Sequence, residues 1–511
     1  MCGVVGIYGH DYVAQDLYDS LLTVQHRGQD ASGIITYDGK FHIRKDFGLV
    51  RDIFHTRHMK RLAGYVGLGH TRYATIGKGN IEEIQPFLGP APFGVMLAHN
   101  GNLFNSYDLR NEIFEKDHRL VNSDSDAEVL LNLFTKALTK QNAENLGMKH
   151  VCKAVESVFA RSQGAYSVVA YIAKHGMVAF RDPRGIRPLI FGKREKGLVT
   201  EYIFASESVT LDILGFKIIR DVKAGEVIFI DEQNRKVHSK VLTKKQHIPC
   251  IFEYIYFARP DSLIDSVSVY KSRIRMGEKL AKKVKKSRLN IDVVMPVPDS
   301  SRTAALALAD ALDLKYREGL VKNRYIGRTF IMPGQAVRKK SIKYKLNAMR
   351  LEIEGKNILI VDDSIVRGNT SRQIVQMVRD AGAKKVYFAS YSPPVISPCL
   401  YGIDIPTTKE LIAANVSVED VRKFIGADAL IYEDLKDAFD SCMVKNVGPK
   451  DFCMACFDKH YKTGDIDEAV LKKNSDARMK DKVCSSCEPA PDAGISDENS
   501  SPEAETQLNL I

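Results

Sequence analysis

The sequence predicts an α/β and α+β chain in two folded parts: a strand-rich first part with intervening helices, followed by a doubly wound parallel sheet. Three observations predict it. At 511 residues the chain is too long for one compact core. Up to about Asp231 short β-type runs dominate. One is GIITYDGKFHIRK, where Asp38-Gly39 separates two alternating segments as a hairpin turn does. Beyond Asp231 strand-like and helix-like runs alternate, the order that builds a parallel sheet.

In the first part, AYSVVAYI, GMVAFRD, YIFASES and EVIFID read as strands, whereas DAEVLLNLFTKAL repeats its apolar residues on one helical face. In the second part, SVYKSRIRMGEKLAKKVKKSR is an amphipathic basic helix. The buried-strand run IDVVMPVP and the alanine-rich helix RTAALALADAL follow. KNILIVDD is a strand, TSRQIVQMVRDAG a helix stopped by Gly382, and KKVYFASY the next strand. From about Asp476 the chain turns polar and rich in Ser, Pro, Asp and Glu, a composition that does not support a core. The expected division is therefore 2–231, 232–470 and an acidic, disordered tail over 476–511.

Composition excludes several classes. No apolar run is long enough to cross a bilayer, and the N-terminus lacks the basic segment and apolar core of a signal peptide. A cytoplasmic protein without a membrane partner is expected. The net charge is +11, and six acids without a base from Glu488 onwards leave +17 on the rest. Between Lys315 and Arg350 eleven Lys or Arg face one acid, Glu318. No nucleic-acid motif accompanies them, so small polyanions such as phosphates are the expected partners rather than nucleic acid. Nine cysteines, five of them after position 440, suggest metal or reactivity more than a disulfide framework.

ILIVDDSIVRGNTS (358–371) concentrates the chemistry. Four apolar β-formers run into two adjacent carboxylates, and a glycine-containing loop with hydroxyls then opens a helix. Carboxylates at the C-terminal end of a parallel strand lie where such sheets bind ligands, and the loop and helix start can cradle a phosphate. Asp362 and Asp363 suit vicinal sugar hydroxyls, or a magnesium ion with its waters. No P-loop is present.

This stretch resembles the PRPP (phosphoribosyl pyrophosphate) signature of the type I phosphoribosyltransferases. The resemblance implies that Asp362 and Asp363 hold the ribose hydroxyls. It assigns the 5′-phosphate to Ser364, Ile365, Val366, Arg367, Gly368, Asn369 and Thr370. MPVPDSS resembles the family's pyrophosphate loop, which puts Ser300 with the two acids at the magnesium ion. KNRYIGRTFIMPGQAVRKKS resembles the loop that closes over the substrate, although composition alone fits a solvated basic loop equally well.

The first part carries a different chemistry. If Met1 is removed, Cys2 bears a thiol and a free α-amine on one residue, and the amine can take the thiol's proton. MCG at the start, QHRGQDASG, GHTRYAT, AHNGNL and NSDSDAE together resemble the class II, N-terminal-nucleophile glutamine amidotransferases. The resemblance implies a four-layer αββα fold with Cys2 as nucleophile and Asn100 and Gly101 as the oxyanion hole. It further implies Arg72 on the glutamine α-carboxylate and Asp126 on its α-ammonium. With only Met1 before Cys2, no propeptide processing is expected.

Joined in one chain, the two resemblances are similar to the glutamine phosphoribosylpyrophosphate amidotransferase family, over about residues 1–440. This implies transfer of glutamine-derived ammonia to C1 of PRPP, feedback inhibition by purine nucleotides, and a homotetramer. Cys250, Cys399, Cys453 and Cys456 match the pattern of members that hold a [4Fe–4S] cluster, and four thiolates are what such a cluster needs. A zinc site using Cys453-x-x-Cys456 and Cys484-x-x-Cys487 is the alternative. Cys152 is expected to pack in a helix, and Cys442 has no assigned role. A fructose-6-phosphate amidotransferase, an asparagine synthetase or a PRPP-sensing regulator would each leave one of the two motif sets unexplained.

Overall fold

The strand Gly3–Tyr8 organises the first part. In the computed structural model, which describes residues 2–73, 80–141, 145–323 and 345–484 (not the side chains of 478–484), all six of its residues are buried. It pairs antiparallel with Val66–Arg72 on one side and Val199–Ala205 on the other. The complete sheet has seven strands, in the order Lys217–Asp221, Ile190–Lys196, Val199–Ala205, Gly3–Tyr8, Val66–Arg72, Ala31–Tyr37 and Phe41–Phe47. A second, six-stranded sheet runs Val237–Val241, Glu226–Asp231, Gly176–Arg181, Gly164–Ile172, Val95–Leu103 and Phe87–Gly89.

The period of two along Gly3–Tyr8 decides how these sheets stack. Val4 and Tyr8 join Leu68, Ala98 and Val169 in an apolar layer between the sheets. Val5 and Ile7 point the other way, onto Leu17 and Leu21 of the helix Ala14–Thr23. Burying each such leucine contributes about 1.5–3 kcal/mol. Gly6 lies on the inner face, where a Cβ would come within 2.5 Å of Val169 Cγ1, so its lack of a side chain sets how closely the sheets approach. Helices Asp126–Thr139 and Met148–Arg161 cover the outer face of the second sheet, and Cys152 packs there. The result is the four-layer αββα arrangement.

The second part is a five-stranded, all-parallel sheet in the order Lys315–Tyr316, Val293–Pro296, Asn357–Asp362, Lys385–Ser390 and Ala429–Tyr432. Its strands alternate too. Val294, Leu359 and Val361 pack on the side of helices Val269–Lys286 and Arg302–Leu312. Ile358, Ile360 and Phe388 pack with Ile374 and Val378 of helix Asn369–Asp380 and with Val421 and Ile425 of helix Val418–Ile425. Helices on both faces make the sheet doubly wound.

Two expectations change. The first part does not end at Asp231, because Val237–Val241 adds an edge strand to Glu226–Asp231. Position 476 does not begin an irregular tail: the helix Glu468–Cys484 runs through it, and 485–511 fall outside the described residues. The basic stretch expected to close over substrate lies outside them as well, apart from its first two residues.

Candidate active sites

Cys2 opens the central strand of the first sheet, and its position is set from both sides. Its backbone N–H donates to Asn100 Oδ1 at 3.2 Å, and its carbonyl accepts from Arg27 Nε at 3.1 Å. Sγ lies 3.9 Å from the Tyr73 carbonyl oxygen. A Cβ on the adjoining Gly3 would come within 2.6 Å of Thr71 Oγ1, so no larger residue fits beside the thiol. Burial pushes the Cys2 thiol up, against the pull of the chain-terminal ammonium and Arg72. The resting sulfur is therefore a thiol that needs a proton acceptor before it can attack.

Asn100 is fully buried on the second sheet's strand Val95–Leu103. Its Oδ1 is taken by the Cys2 N–H, while its buried Nδ2 has no partner among the described residues. Leaving such a donor unsatisfied costs about 1–3 kcal/mol, a cost recovered when a developing anion arrives. The neighbouring Gly101 has φ +156°, and a Cβ there would lie 2.0 Å from the Ala165 carbonyl oxygen.

Arg72 and Asp126 sit close enough to act on the thiol's charge, but both are already engaged. Arg72 is paired with buried Glu83. Asp126 accepts from the Leu103 N–H at 2.9 Å and contacts His99 Nε2 at 3.3 Å. Burial pushes its carboxyl up, but His99 and the Leu103 and Ala127 N–H groups prevail and hold it below its usual range.

The second centre lies at the C-terminal end of strand Asn357–Asp362. Ser300 Oγ donates to Asp363 at 2.5 Å and Ser364 Oγ donates at 2.6 Å, while Ser301 Oγ donates to Asp362 at 3.3 Å. Burial, and for Asp362 the neighbouring Asp363 charge, push both carboxyls up. The pair is held by hydroxyl groups and by the Asp363 N–H, which donates to Asp362 at 2.9 Å. Vicinal sugar hydroxyls can add further donors, and a divalent cation can add the positive charge that two buried acids lack. Gly368, at φ +75°, turns the loop into helix Asn369–Asp380, where Asn369, Thr370 and Arg367 are exposed. The Ile365 side chain is buried in the core, so within this loop it can offer a phosphate only its backbone.

The comparisons match this division. Residues 57–246 match the family described as a glutamine amidotransferase domain, and 267–391 match a phosphoribosyl transferase domain. The amidophosphoribosyltransferase of Pseudomonas aeruginosa is 54% identical over 481 residues, covering 94% of this chain and 96% of that one. That of Saccharomyces cerevisiae is 44% identical over 489 residues, covering 94% and 95%. The chain belongs to the amidophosphoribosyltransferase family.

Solved structures of the family agree in fold. The Bacillus subtilis glutamine PRPP amidotransferase complexed with ADP and GMP superposes with a TM-score of 0.78 at 38% identity, over 90% of this chain and 97% of that one. A second, described as the allosteric regulatory enzyme of purine biosynthesis, gives 0.82 at 37% identity, over 93% and 99%.

Several residues of this amidophosphoribosyltransferase site were not singled out in the sequence. Ser301 supports Asp362. Tyr391 links the second centre to the short helical turn Glu253–Phe257: its hydroxyl donates to the Ile255 carbonyl at 2.8 Å and reaches the Ser300 carbonyl at 3.3 Å. Glu253 then pairs with both terminal nitrogens of buried Arg27, at 2.9 and 3.1 Å. Arg27 also donates to Glu207 at 2.5 Å, and Glu207 accepts from His26, Ser262 and the Arg259 N–H. Burial works against this carboxylate, yet His26 and Arg27 hold it far below its usual range. The only signal for Arg27 was its place inside QHRGQDASG.

Cys250, Cys399, Cys453 and Cys456 line one cavity, and among the described residues Arg187 is the only charged one in its lining. Backbone bonds bring three separate segments to it. Ile251 N–H donates to the Cys453 carbonyl at 3.2 Å, and Cys453 N–H to Pro249 at 2.9 Å. The Ile396 and Ser397 N–H groups donate to the Cys456 carbonyl at 2.9 and 3.1 Å. Cys442 is buried at the end of helix Leu435–Cys442, where burial pushes its thiol up to about 12.

Proposed function

We propose that the chain hydrolyses glutamine at Cys2 and adds the released ammonia to C1 of PRPP, giving 5-phosphoribosylamine, glutamate and pyrophosphate. The observation that carries this is the buried Asn100 amide, with Oδ1 held by Cys2 and Nδ2 left as a donor, in one chain with the carboxyl pair at a parallel strand end. With Met1 removed, the Cys2 α-amine takes the thiol proton as sulfur attacks the carboxamide carbon. Asn100 Nδ2 and the Gly101 N–H receive the oxyanion. As it collapses, the α-ammonium returns the proton to the departing nitrogen, which leaves as ammonia, and water hydrolyses the resulting thioester to glutamate. The substrate carboxylate competes with Glu83 for Arg72, and Asp126, ionised and anchored, faces the α-ammonium.

Asp362 and Asp363 accept the ribose hydroxyls, and the loop from Ser364 to Thr370 takes the 5′-phosphate at the start of helix Asn369–Asp380. Magnesium held by Ser300, Asp362 and Asp363 would neutralise pyrophosphate as it leaves. Ammonia's lone pair forms the C1–N bond while the C1–O bond breaks. Keeping water from the activated carbon is the role of the basic stretch 323–341, in this reading.

A [4Fe–4S] cluster on Cys250, Cys399, Cys453 and Cys456 belongs to the same proposal. The four thiols line one cavity, and four thiolates are what such a cluster needs. The second pair of the zinc alternative, Cys484 and Cys487, lies outside the described side chains. Inhibition by purine nucleotides, assembly as a homotetramer and a cytoplasmic location complete the reading. The nucleotides in the Bacillus subtilis structure support the first, and no described helix is long and apolar enough to cross a membrane.

The deciding experiment measures PRPP-dependent pyrophosphate release with magnesium, using glutamine or ammonium chloride as nitrogen source. Release with both, and with ammonium alone in Cys2→Ala, is the expected result. Loss of both in that variant overturns the two-centre scheme.

A further inference from the structure

The four-cysteine cavity and the oxyanion strand lie on opposite sides of one turn. Cys399 and Tyr401 line the cavity, and the Tyr401 N–H donates to Cys399 Sγ at 3.4 Å. Between them, the Leu400 carbonyl faces the other way and accepts from buried Asn102 Nδ2 at 2.8 Å. Gly402 follows with φ +103°, and a Cβ there would lie 2.9–3.1 Å from the Gly101 backbone. Asn102 and Gly101 adjoin Asn100 on the strand Val95–Leu103. Four consecutive residues of the second part thus connect one of the four thiols to the backbone of the oxyanion hole. Room around Gly101 is limited towards the neighbouring strand as well, where a Cβ on it would lie 2.0 Å from the Ala165 carbonyl oxygen.

We propose that the turn Cys399–Gly402 is a strut. Ligation of Cys399 seats Leu400 and Gly402 against Asn102 and Gly101, and this sets the oxyanion-hole geometry and the rate of glutamine hydrolysis. The inference rests on the cluster and oxyanion readings above. A hydrogen-bond donor displaced by a few tenths of an ångström from its developing anion loses much of its effect, so a small shift of Gly101 is enough. Asn102, Leu400 and Gly402 are positioning residues here; none touches substrate.

The test uses anaerobically purified holoenzyme with iron and sulfide determined per chain. Gly402→Ala and Asn102→Ala are expected to keep iron and sulfide at the wild-type level. Glutaminase kcat should fall at least tenfold in the first and three- to tenfold in the second, with the KM for glutamine within twofold. Alkylation of Cys2 by iodoacetamide, which forms no oxyanion, and ammonia-dependent synthesis should stay within twofold. Amide hydrogen exchange over 98–103 should be slower in iron-loaded wild type than in Cys399→Ser. Unchanged kcat in iron-loaded Gly402→Ala overturns the strut, as does an equal fall in the glutamine and ammonia reactions. Wild-type protein without iron and sulfide overturns the cluster reading instead and removes the ligation that the strut needs.

Discussion

Asn100→Ala separates catalysis from stability at a single buried residue. The side chain makes one hydrogen bond, from the Cys2 N–H to Oδ1 at 3.2 Å, and leaves Nδ2 without a partner among the described residues. Deleting it forfeits about 1 kcal/mol for the lost bond and relieves about 1–3 kcal/mol for the unsatisfied donor. The small cavity left behind offsets part of that relief. Folding stability should therefore change by no more than about 1 kcal/mol. Catalysis should respond far more strongly. Removing one oxyanion donor costs about 2.7–4 kcal/mol in the transition state, a fall in glutaminase kcat of about 10²–10³. The assay is steady-state glutamate release, alongside ammonia-dependent pyrophosphate release and a thermal melt. A near-normal kcat would falsify the assignment of Nδ2. A melt lowered by many degrees together with loss of the ammonia reaction would show that Asn100 is structural instead.

The carboxyl pair should make stability depend on pH. Asp362 has its folded value raised by burial and Asp363, so its protonated form favours the fold. That contribution is complete below about pH 4, the unfolded carboxyl's range, and is lost as pH rises towards the raised folded value. Without PRPP or magnesium, Asp362→Asn should lose less melting temperature than wild type over that rise; parallel curves would refute the mutual burial. Glu207→Ala removes the acceptor shared by Arg27, His26, Ser262 and the Arg259 N–H. Breaking a buried ionic network in this way should cost about 3–5 kcal/mol in denaturant unfolding, and a loss below 1 kcal/mol would mean that the network relaxes freely. Gly6→Ala forces a Cβ to 2.5 Å from Val169 Cγ1 and should cost about 1–3 kcal/mol while sparing the ammonia reaction. Wild-type stability in that variant would show that the sheets can separate without penalty.

Much of this protein was legible because its chemistry is written in short stretches that are also structural units. ILIVDDSIVRGNTS is a strand, a loop and a helix start in one run, so reading it locates Asp362, Asp363 and the phosphate loop together. Cys2 was legible for a similar reason: it stands at a chain end, beside a glycine and an apolar strand. Edges were less legible. Val237–Val241 alternates weakly and is held as a strand by its neighbour Glu226–Asp231. Helix Glu468–Cys484 is polar almost all round, so no apolar stripe announced that it would continue through Asp476.

The sequence by itself determined the two-part order, a strand-rich first part, a parallel-sheet second part and the residue types at both centres, because strand and helix periods and contiguous motifs are local properties. The αββα layering came from the family resemblance. Only the tertiary structure decided which distant residues meet. Arg27 comes to Cys2 and Glu253, Ser301 and Tyr391 come to the carboxyl pair, and Gly402 comes to Gly101, across separations of up to about three hundred residues. Such contacts follow from how sheets stack and domains dock. Those arrangements are set by the whole core, and no local pattern encodes them.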